Sequence, residues 1–361
     1  MICYSQTLPR SIATTLLLLL VAGGLACADG GSTGDQAYVV PEKIRLRSST
    51  AQASRMTSEL RGADAVTITN RLDAEDGTPW VEVRGPAGET GWAEARFFVA
   101  GDLVEASRRI AEQYKSVQTQ AAGRSKAALR LRLTPDRLSE ENVALTLPAG
   151  TLLDIITRER RPRPATLRAL SDADEVSQSS SSGSSGSSGP SGSSSEQRFD
   201  DWLLVRVRDF SVVSTGWIYG GSVSIEPPPE IIYFISSGYR IAGWQRIGTV
   251  TGEDGQAGHH YLVLEEKVKN RDSQFDFDRV KVLAYDPVTR EYNTPFREDL
   301  SGRFPLTLEM NGTRGAFRLT VVDRGGSSRD LQYQIELLEQ ARLRVTRLNN
   351  ASREAALRKN G

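Results

Sequence analysis

The chain has 361 residues, long for one ordinary domain and in keeping with two or three. Apolar residues make up 39% and charged residues 25%, as in soluble globular proteins, and 45 basic side chains balance 45 acidic ones. With that balance and no long basic run, a nucleic-acid binder acting through bulk charge is excluded.

At the N-terminus, Arg10 precedes an apolar run from Ile12 to Ala26, about 15 residues and too short to cross a ~30 Å hydrocarbon core. A charged start, apolar middle and small-residue end predict a signal peptide over 1–26. Its end, Gly23-Gly24-Leu25-Ala26-Cys27, resembles the bacterial lipobox, where a small residue precedes a cysteine that receives a diacylglycerol. Gly24 stands where the lipobox usually has a branched aliphatic. The resemblance implies lipid attachment at Cys27 and an exported, membrane-anchored protein facing the periplasm or cell surface. Each buried acyl CH₂ contributes about 0.8 kcal/mol to such an anchor. The alternative is a secreted protein cleaved near Ala26 or Ala28. Residues 27–37 read as a flexible tether. The other cysteine is Cys3, so the body beyond Cys27 has no thiol for a disulfide, nucleophile or zinc site.

Two segments then repeat one order of features. The first has Ile44-Arg45-Leu46-Arg47, Leu60-Arg61-Gly62, Trp80-Val81-Glu82-Val83-Arg84 and Thr90-Gly91-Trp92. The second has Leu129-Arg130-Leu131-Arg132, Leu147-Pro148-Ala149-Gly150, Trp202-Leu203-Leu204-Val205-Arg206-Val207 and Thr215-Gly216-Trp217. Arg47 and Trp80 lie 33 residues apart and Arg132 and Trp202 lie 70 apart, the excess matching the stretch Arg161–Arg198. Alternation such as Val81/Val83 and Leu203/Val205/Val207 predicts short antiparallel strands. The pattern resembles bacterial SH3-like domains, with Pro135 at the family's proline and Thr50 in its place in the first unit. That resemblance implies two small barrels, over 38–100 and 128–226, and peptidoglycan or a peptide as ligand. Trp80 and Trp202 begin strands and are expected in the barrel cores. Trp92, Trp217 and Tyr219 follow turns, where aromatics either pack or line a peptide groove.

Between the repeats, residues 101–127 read as a helical linker, with Leu103, Ile110, Tyr114 and Val117 on one face and Asp102 as a cap. Inside the second unit, residues 162–198 form an insert whose Ser/Gly-rich core predicts a disordered coil. Pro227-Pro228-Pro229 marks a boundary. Beyond it, strands are expected at Ile231–Ile235, Tyr239–Val250, Tyr261–Val268, Arg279–Tyr285, Glu291–Phe296, Phe304–Leu308, Ala316–Val322 and Leu331–Leu337. Turns fall at Asp286-Pro287, Asn311-Gly312 and Gly325-Gly326. Residues 231–348 then form a β-sandwich-like or open-barrel domain, with a tail over 349–361. The block Phe275–Glu298 resembles the C-terminal β domain of exported bacterial proteins that carry SH3-like repeats.

Little in this body points to catalysis. His259 and His260 are adjacent, so a strand sends them to opposite faces and they cannot share one ion. Asp276 and Asp278 share a face and are the candidates for a divalent cation or for acid/base work, against the plainer reading of solvated carboxylates. No GxSxG, HExxH or P-loop pattern is present, and no cofactor is implied. The sequence therefore reads as an all-β, non-catalytic binding or adaptor protein. Its expected partners are the membrane, through the lipid, and peptidoglycan or an envelope protein. Two alternatives remain open: an assembly scaffold that binds no cell wall, and an enzyme within 231–348.

Overall fold

A computed structural model describes residues 35–51, 53–164, 199–208, 210, 212–268, 275–323, 325–338 and 342–348. The expected signal, Cys27, the Ser/Gly segment and the tail lie outside these residues. The architecture is all-β: three seven-stranded antiparallel sheets, none of them closed.

The first sheet holds β1 (Asp35–Val39), β2 (Lys43–Arg47), β3 (Met56–Arg61), β4 (Ala65–Asp73), β5 (Pro79–Arg84), β6 (Thr90–Glu94) and β7 (Phe98–Ala100). A 3₁₀ turn, Ala95–Phe97, precedes β7, and the strand order is β3-β2-β6-β5-β4-β1-β7. The first strand already begins at Asp35, within the stretch expected as tether. Val39, Leu46, Leu60, Val66, Val81 and Val83 fill the core of this sheet.

Helix α1 (Gly101–Gln113) follows at once and is shorter than the expected linker. Asp102 does not cap it. Ala100 is the N-cap, and the Asp102 carboxylate sits in the first turn, where it complements the helix N-terminus and accepts the Leu103 N–H. The chain turns over Tyr114–Val117 and enters strand β8 (Ala121–Ser125), so the second sheet starts inside the expected linker.

That sheet continues with β9 (Leu129–Arg132), β10 (Val143–Leu147), β11 (Leu152–Pro162), β12 (Phe199–Val207), β13 (Thr215–Tyr219) and β14 (Val223–Ile225). Its order is β10-β9-β13-β12-β11-β8-β14, which is the order of the first sheet with seven added to each number. A 3₁₀ turn, Gly220–Ser222, again precedes the last strand. The repeated Thr-Gly-Trp has a steric cause: a Cβ on Gly216 would stand 2.7 Å from the Arg132 carbonyl, and one on Gly91 2.9 Å from the Arg47 carbonyl. The insert opens from the tip of the β11–β12 hairpin, where Pro162 pairs with Phe199.

The C-terminal part departs from expectation at its start. Residues 231–235 are not a strand but the end of a short helix, α2 (Pro229–Ile232), and the turn after it. Pro229 sits at the first turn, where its fixed φ suits a helix and its missing N–H costs nothing. Ile231 is driven down onto Ile241, Tyr261, Val263 and Leu283. Then β15 (Tyr239–Thr251), β16 (Ala257–Lys267), β17 (Phe277–Asp286), β18 (Glu291–Asn311), β19 (Arg314–Val322), β20 (Ser328–Leu337) and β21 (Leu343–Arg347) pair in simple sequence order.

The two strands expected at Glu291–Phe296 and Phe304–Leu308 are one. The first half of β18 pairs with β17 as far as Gly302 and the second half with β19, the register shifting between Arg303 and Thr307. Pro305 lies in that shift, where its missing donor is least costly. One face of the sheet packs Leu262, Leu264, Val280, Val282, Phe317 and Tyr333, while α2 covers part of the other. No described helix is long and apolar enough to cross a membrane.

Candidate functional site

The second sheet and the C-terminal sheet meet along a polar seam. After α1, the extended residues Gln118–Gln120 run beside the half of β18 that β17 leaves unpaired. Gln120 accepts the Leu306 N–H at 2.8 Å and donates to the Leu306 carbonyl at 2.9 Å. Gln118 does the same with Leu308, at 2.9 and 2.7 Å. Two side-chain amides thus replace the ladder bonds of a neighbouring strand. On the other side the Trp244 N–H donates to the Gln120 carbonyl at 2.8 Å, an approach that needs Gly243, whose Cβ would stand 2.7 Å from that oxygen.

Beside this clamp lies a buried ion cluster. The long hairpin places Arg158 and Arg160 on β11 and Asp201 on β12; the C-terminal sheet contributes Arg240 on β15, Glu266 on β16 and Asp276 just before β17. Arg158 grips Asp201 with two nitrogens, at 2.5 and 2.7 Å, and Glu266 with a third at 3.1 Å. Glu266 also accepts from Arg160 at 2.8 Å and from Arg240 at 2.8 Å. Glu266 is 1% exposed and faces three guanidinium groups in place of water. Burial, with the like charge of Arg158, pushes Arg160 down, whereas Asp201 and Glu266 hold Arg158 above its ordinary value despite its burial. Burial also pushes Asp276 up to about 6, against the pull of Arg158 and the Phe304 N–H.

A cavity of about 360 Å³ opens against this cluster. Ile155, Leu203, Ile225, Ile235 and Phe304 give it apolar walls, while Arg158, Asp201 and Glu266 form its polar side. Lys126 and Ser224 are its exposed polar members, and Arg240 is half-buried. Gly220, from the 3₁₀ turn, closes on Asp201: a Cβ there would stand 2.9 Å from the carboxylate. Both carboxylates on the wall are already held by guanidinium groups. The arrangement can hold a ligand with an apolar body through its walls and orient polar groups of that ligand through Lys126 and Arg240.

The residues singled out from sequence lie elsewhere. Trp202 is buried but not in the core between the strands; with Ile156, Leu204 and Trp217 it forms the outer face of the second sheet, beneath Ile110, Tyr114 and Val117. The core side of β12 carries Leu203, Val205 and Val207, so the strand period sends Trp202 outward. Trp80 likewise stands apart from the core of the first sheet, under the Arg47 guanidinium at 5.6 Å. Trp217 is therefore helix-packed and lines no open groove. Tyr219 contacts Trp202 edge-on at 6.2 Å and lies under Arg137 at 4.6 Å. Trp92 is half-buried on the outer face of the first sheet.

Asp276 and Asp278 are buried, not solvated, and answer different backbone amides. Asp276 accepts the Phe304 N–H at 2.8 Å, and Asp278 the Lys267 N–H at 2.9 Å. Among the described residues no group of three or more His, Cys, Asp or Glu side chains is placed to hold a metal. His259 and His260 do face opposite ways: His259 meets Thr249 at 3.1 Å, while His260 is fully buried and accepts the Tyr285 N–H at 3.0 Å. Burial pushes His260 down to about 4.

Sequence reasoning missed Arg158, Arg160, Glu266, Gln118 and Gln120. A signal for the ions was present: β16 reads Leu-Val-Leu-Glu-Glu-Lys, with acidic residues at the end of an apolar run. No protein-family model matches the chain, and no curated protein matches it.

Proposed function

We propose that the protein is a non-catalytic binding or adaptor lipoprotein of the cell envelope, anchored through Cys27, whose two SH3-like modules serve peptide recognition. On this reading the cavity between the second module and the C-terminal domain takes a peptide, either a peptidoglycan stem peptide or a segment of an envelope protein. The observation that carries it is the duplicated strand order, in each copy with a 3₁₀ turn before the last strand. The apolar walls and the cationic Lys126 and Arg240 of the cavity suit the side chains and carbonyls of a short peptide.

A scaffold that binds no cell wall is the second reading. The charge-locked seam favours it, because that seam makes the second module and the C-terminal sheet one stiff unit. Co-sedimentation with purified peptidoglycan sacculi separates the two. The soluble Cys27→Ser chain is expected to pellet with sacculi, and Ser224→Trp, which fills the cavity from an exposed wall position, is expected to release it. A chain that stays in the supernatant leaves the scaffold reading standing. Radiolabelled palmitate is expected in the wild-type chain and absent from Cys27→Ser; equal label in both would remove the anchor.

A further inference from the structure

The cavity beside the ion cluster carries more positive than negative charge on its wall. Lys126, Arg158 and Arg240 line it against two carboxylates, Asp201 and Glu266. Those carboxylates are fully engaged. Asp201 accepts from Arg158 on both oxygens, while Glu266 takes Arg160 on one oxygen and Arg158 and Arg240 on the other. A ligand's ammonium group would therefore meet guanidinium groups and no open carboxylate.

The cations are engaged to a lesser degree. Arg240 gives Nε and Nη2 to Glu266, at 3.2 and 2.8 Å, and its Nη1 has no hydrogen-bond partner among the described residues. Lys126 makes one side-chain bond, to the Gly221 carbonyl at 3.3 Å, which leaves its other N–H donors for a ligand. Lys126 is exposed and Arg240 half-buried, whereas Ile155, Leu203, Ile241 and Phe304 are buried. The cavity thus has an apolar floor and a cationic rim. Its volume of about 360 Å³ suits the end of a peptide better than a chain passing through.

Donor counting points the same way. On the wall, the side-chain acceptor left for a ligand is the Ser224 hydroxyl. A C-terminal residue brings one N–H, one carboxylate and one side chain. An internal residue has a neutral carbonyl in place of the carboxylate and adds the next N–H, a donor with no side-chain acceptor to receive it.

We propose that the cavity binds the C-terminal end of a peptide whose last residue is apolar. The last side chain rests on Ile155, Leu203 and Phe304, the free carboxylate lies between Lys126 and Arg240, and the N–H donates to Ser224. The inference rests on the reading of the cavity as a peptide site and names the part of the peptide that enters it.

The probe is a fluorescein-labelled pentapeptide ending in Ala-Leu, made once with a free carboxylate and once as the C-terminal amide. Anisotropy is read against the soluble Cys27→Ser chain. The acid is expected to bind about tenfold or more tighter than the amide, with an affinity that falls as salt is raised. Lys126→Gln is expected to cut the acid-to-amide ratio about threefold or more and to leave amide binding unchanged, which a merely structural role would not do. Lys115→Gln, the same change of charge outside the cavity, should leave the ratio as it is. Equal affinity for acid and amide, or a ratio that Lys126→Gln does not change, overturns the chain-end assignment; if both peptides still compete with sacculi, the peptide reading survives it. No binding of either peptide also overturns the assignment, and a chain that then fails to pellet with sacculi removes the peptide reading as well. Decanoate that displaces the acid with equal affinity would seat a fatty carboxylate there and overturn the peptide as occupant.

Discussion

In the second sheet the outer face carries Ile156, Trp202, Leu204 and Trp217 beneath α1; in the first sheet the matching positions are Thr69, Trp80, Glu82 and Trp92. Coverage and polarity change together while the tryptophans stay. Thr69 donates to the Glu82 carbonyl at 3.2 Å, and the Arg47 guanidinium lies over Trp80, which is 8% exposed, so the face without a helix is closed by polar groups instead. The same contrast runs along the central hairpins. Arg71 pairs with Asp35 in solvent, with side chains 59% and 74% exposed, whereas its counterpart Arg158 is 6% exposed and locked to Asp201 and Glu266. One architecture thus serves twice, once with its outer face left by α1 and once with that face under α1 and its hairpin locked to the C-terminal sheet, and the difference is written in a handful of side chains.

The largest test of that contrast is tryptophan removal. Trp202→Ala is expected to cost about 3–5 kcal/mol in urea unfolding, as buried large-to-small changes do, and Trp80→Ala about half as much. Equal losses would erase the distinction between the face packed by a helix and the face closed by polar groups.

The ion pairs come next. Glu266→Gln leaves three guanidinium groups facing a neutral amide and is expected to cost on the order of 3 kcal/mol. Asp35→Asn, at the exposed counterpart, is expected to cost less than about 1 kcal/mol. Thermal melting of the two variants side by side gives the answer, and a reversed order would contradict the seam's role.

The seam should also titrate. Asp276 has a folded-state pKa of about 6, above the usual carboxylate range. Its contribution is therefore fully present below about pH 4 and is lost as pH rises through 6. Relative to Asp276→Asn, the wild type is expected to lose up to ~3 kcal/mol between pH 4 and 7.5. His260 works the other way: with a folded pKa of about 4, its contribution is complete above about pH 6.5 and is lost as pH falls toward 4. His260→Gln should flatten the acid limb that Asp276→Asn exposes; a pH-independent difference in either variant would refute the assignment.

The smallest effect separates Arg206 and Arg84, which pair with Thr215 and Thr90 at matching positions of the two sheets. Arg206→Gln is expected to cost about 1 kcal/mol because it removes the side-chain donor from the Val117 carbonyl and leaves the Tyr114 carbonyl with the Val117 N–H alone, and Arg84→Gln less than about 0.5 kcal/mol. A sizeable loss at Arg84 would mean that the first face is engaged within the chain.

Much of this was legible in the sequence. The repeat, the alternation of Val81/Val83 and Leu203/Val205 and the Asn311-Gly312 turn each carry a local signal, and Gly312 does take a positive φ of 58°. The side of the sheet that Trp202 faces was not legible, because a strand buried on both faces has no polar side to mark outward. Residues 231–235 looked like a strand because apolar runs of that length fit either state; the helix is set by Pro229 and by packing onto β16. The seam was invisible for a different reason. Gln118 and Gln120 are ordinary polar residues in sequence and acquire meaning only against a bent strand almost 190 residues away.

Those two glutamines also bear on how the protein behaves in a crowd. Where β18 bends away from β17, the backbone of Leu306 and Leu308 would otherwise present open donors and acceptors, the template on which another chain's strand can add. Gln118 and Gln120 occupy both residues completely. The clamp is therefore a safeguard against aggregation as well as a joint, and its loss should show in the fraction of soluble protein at high concentration.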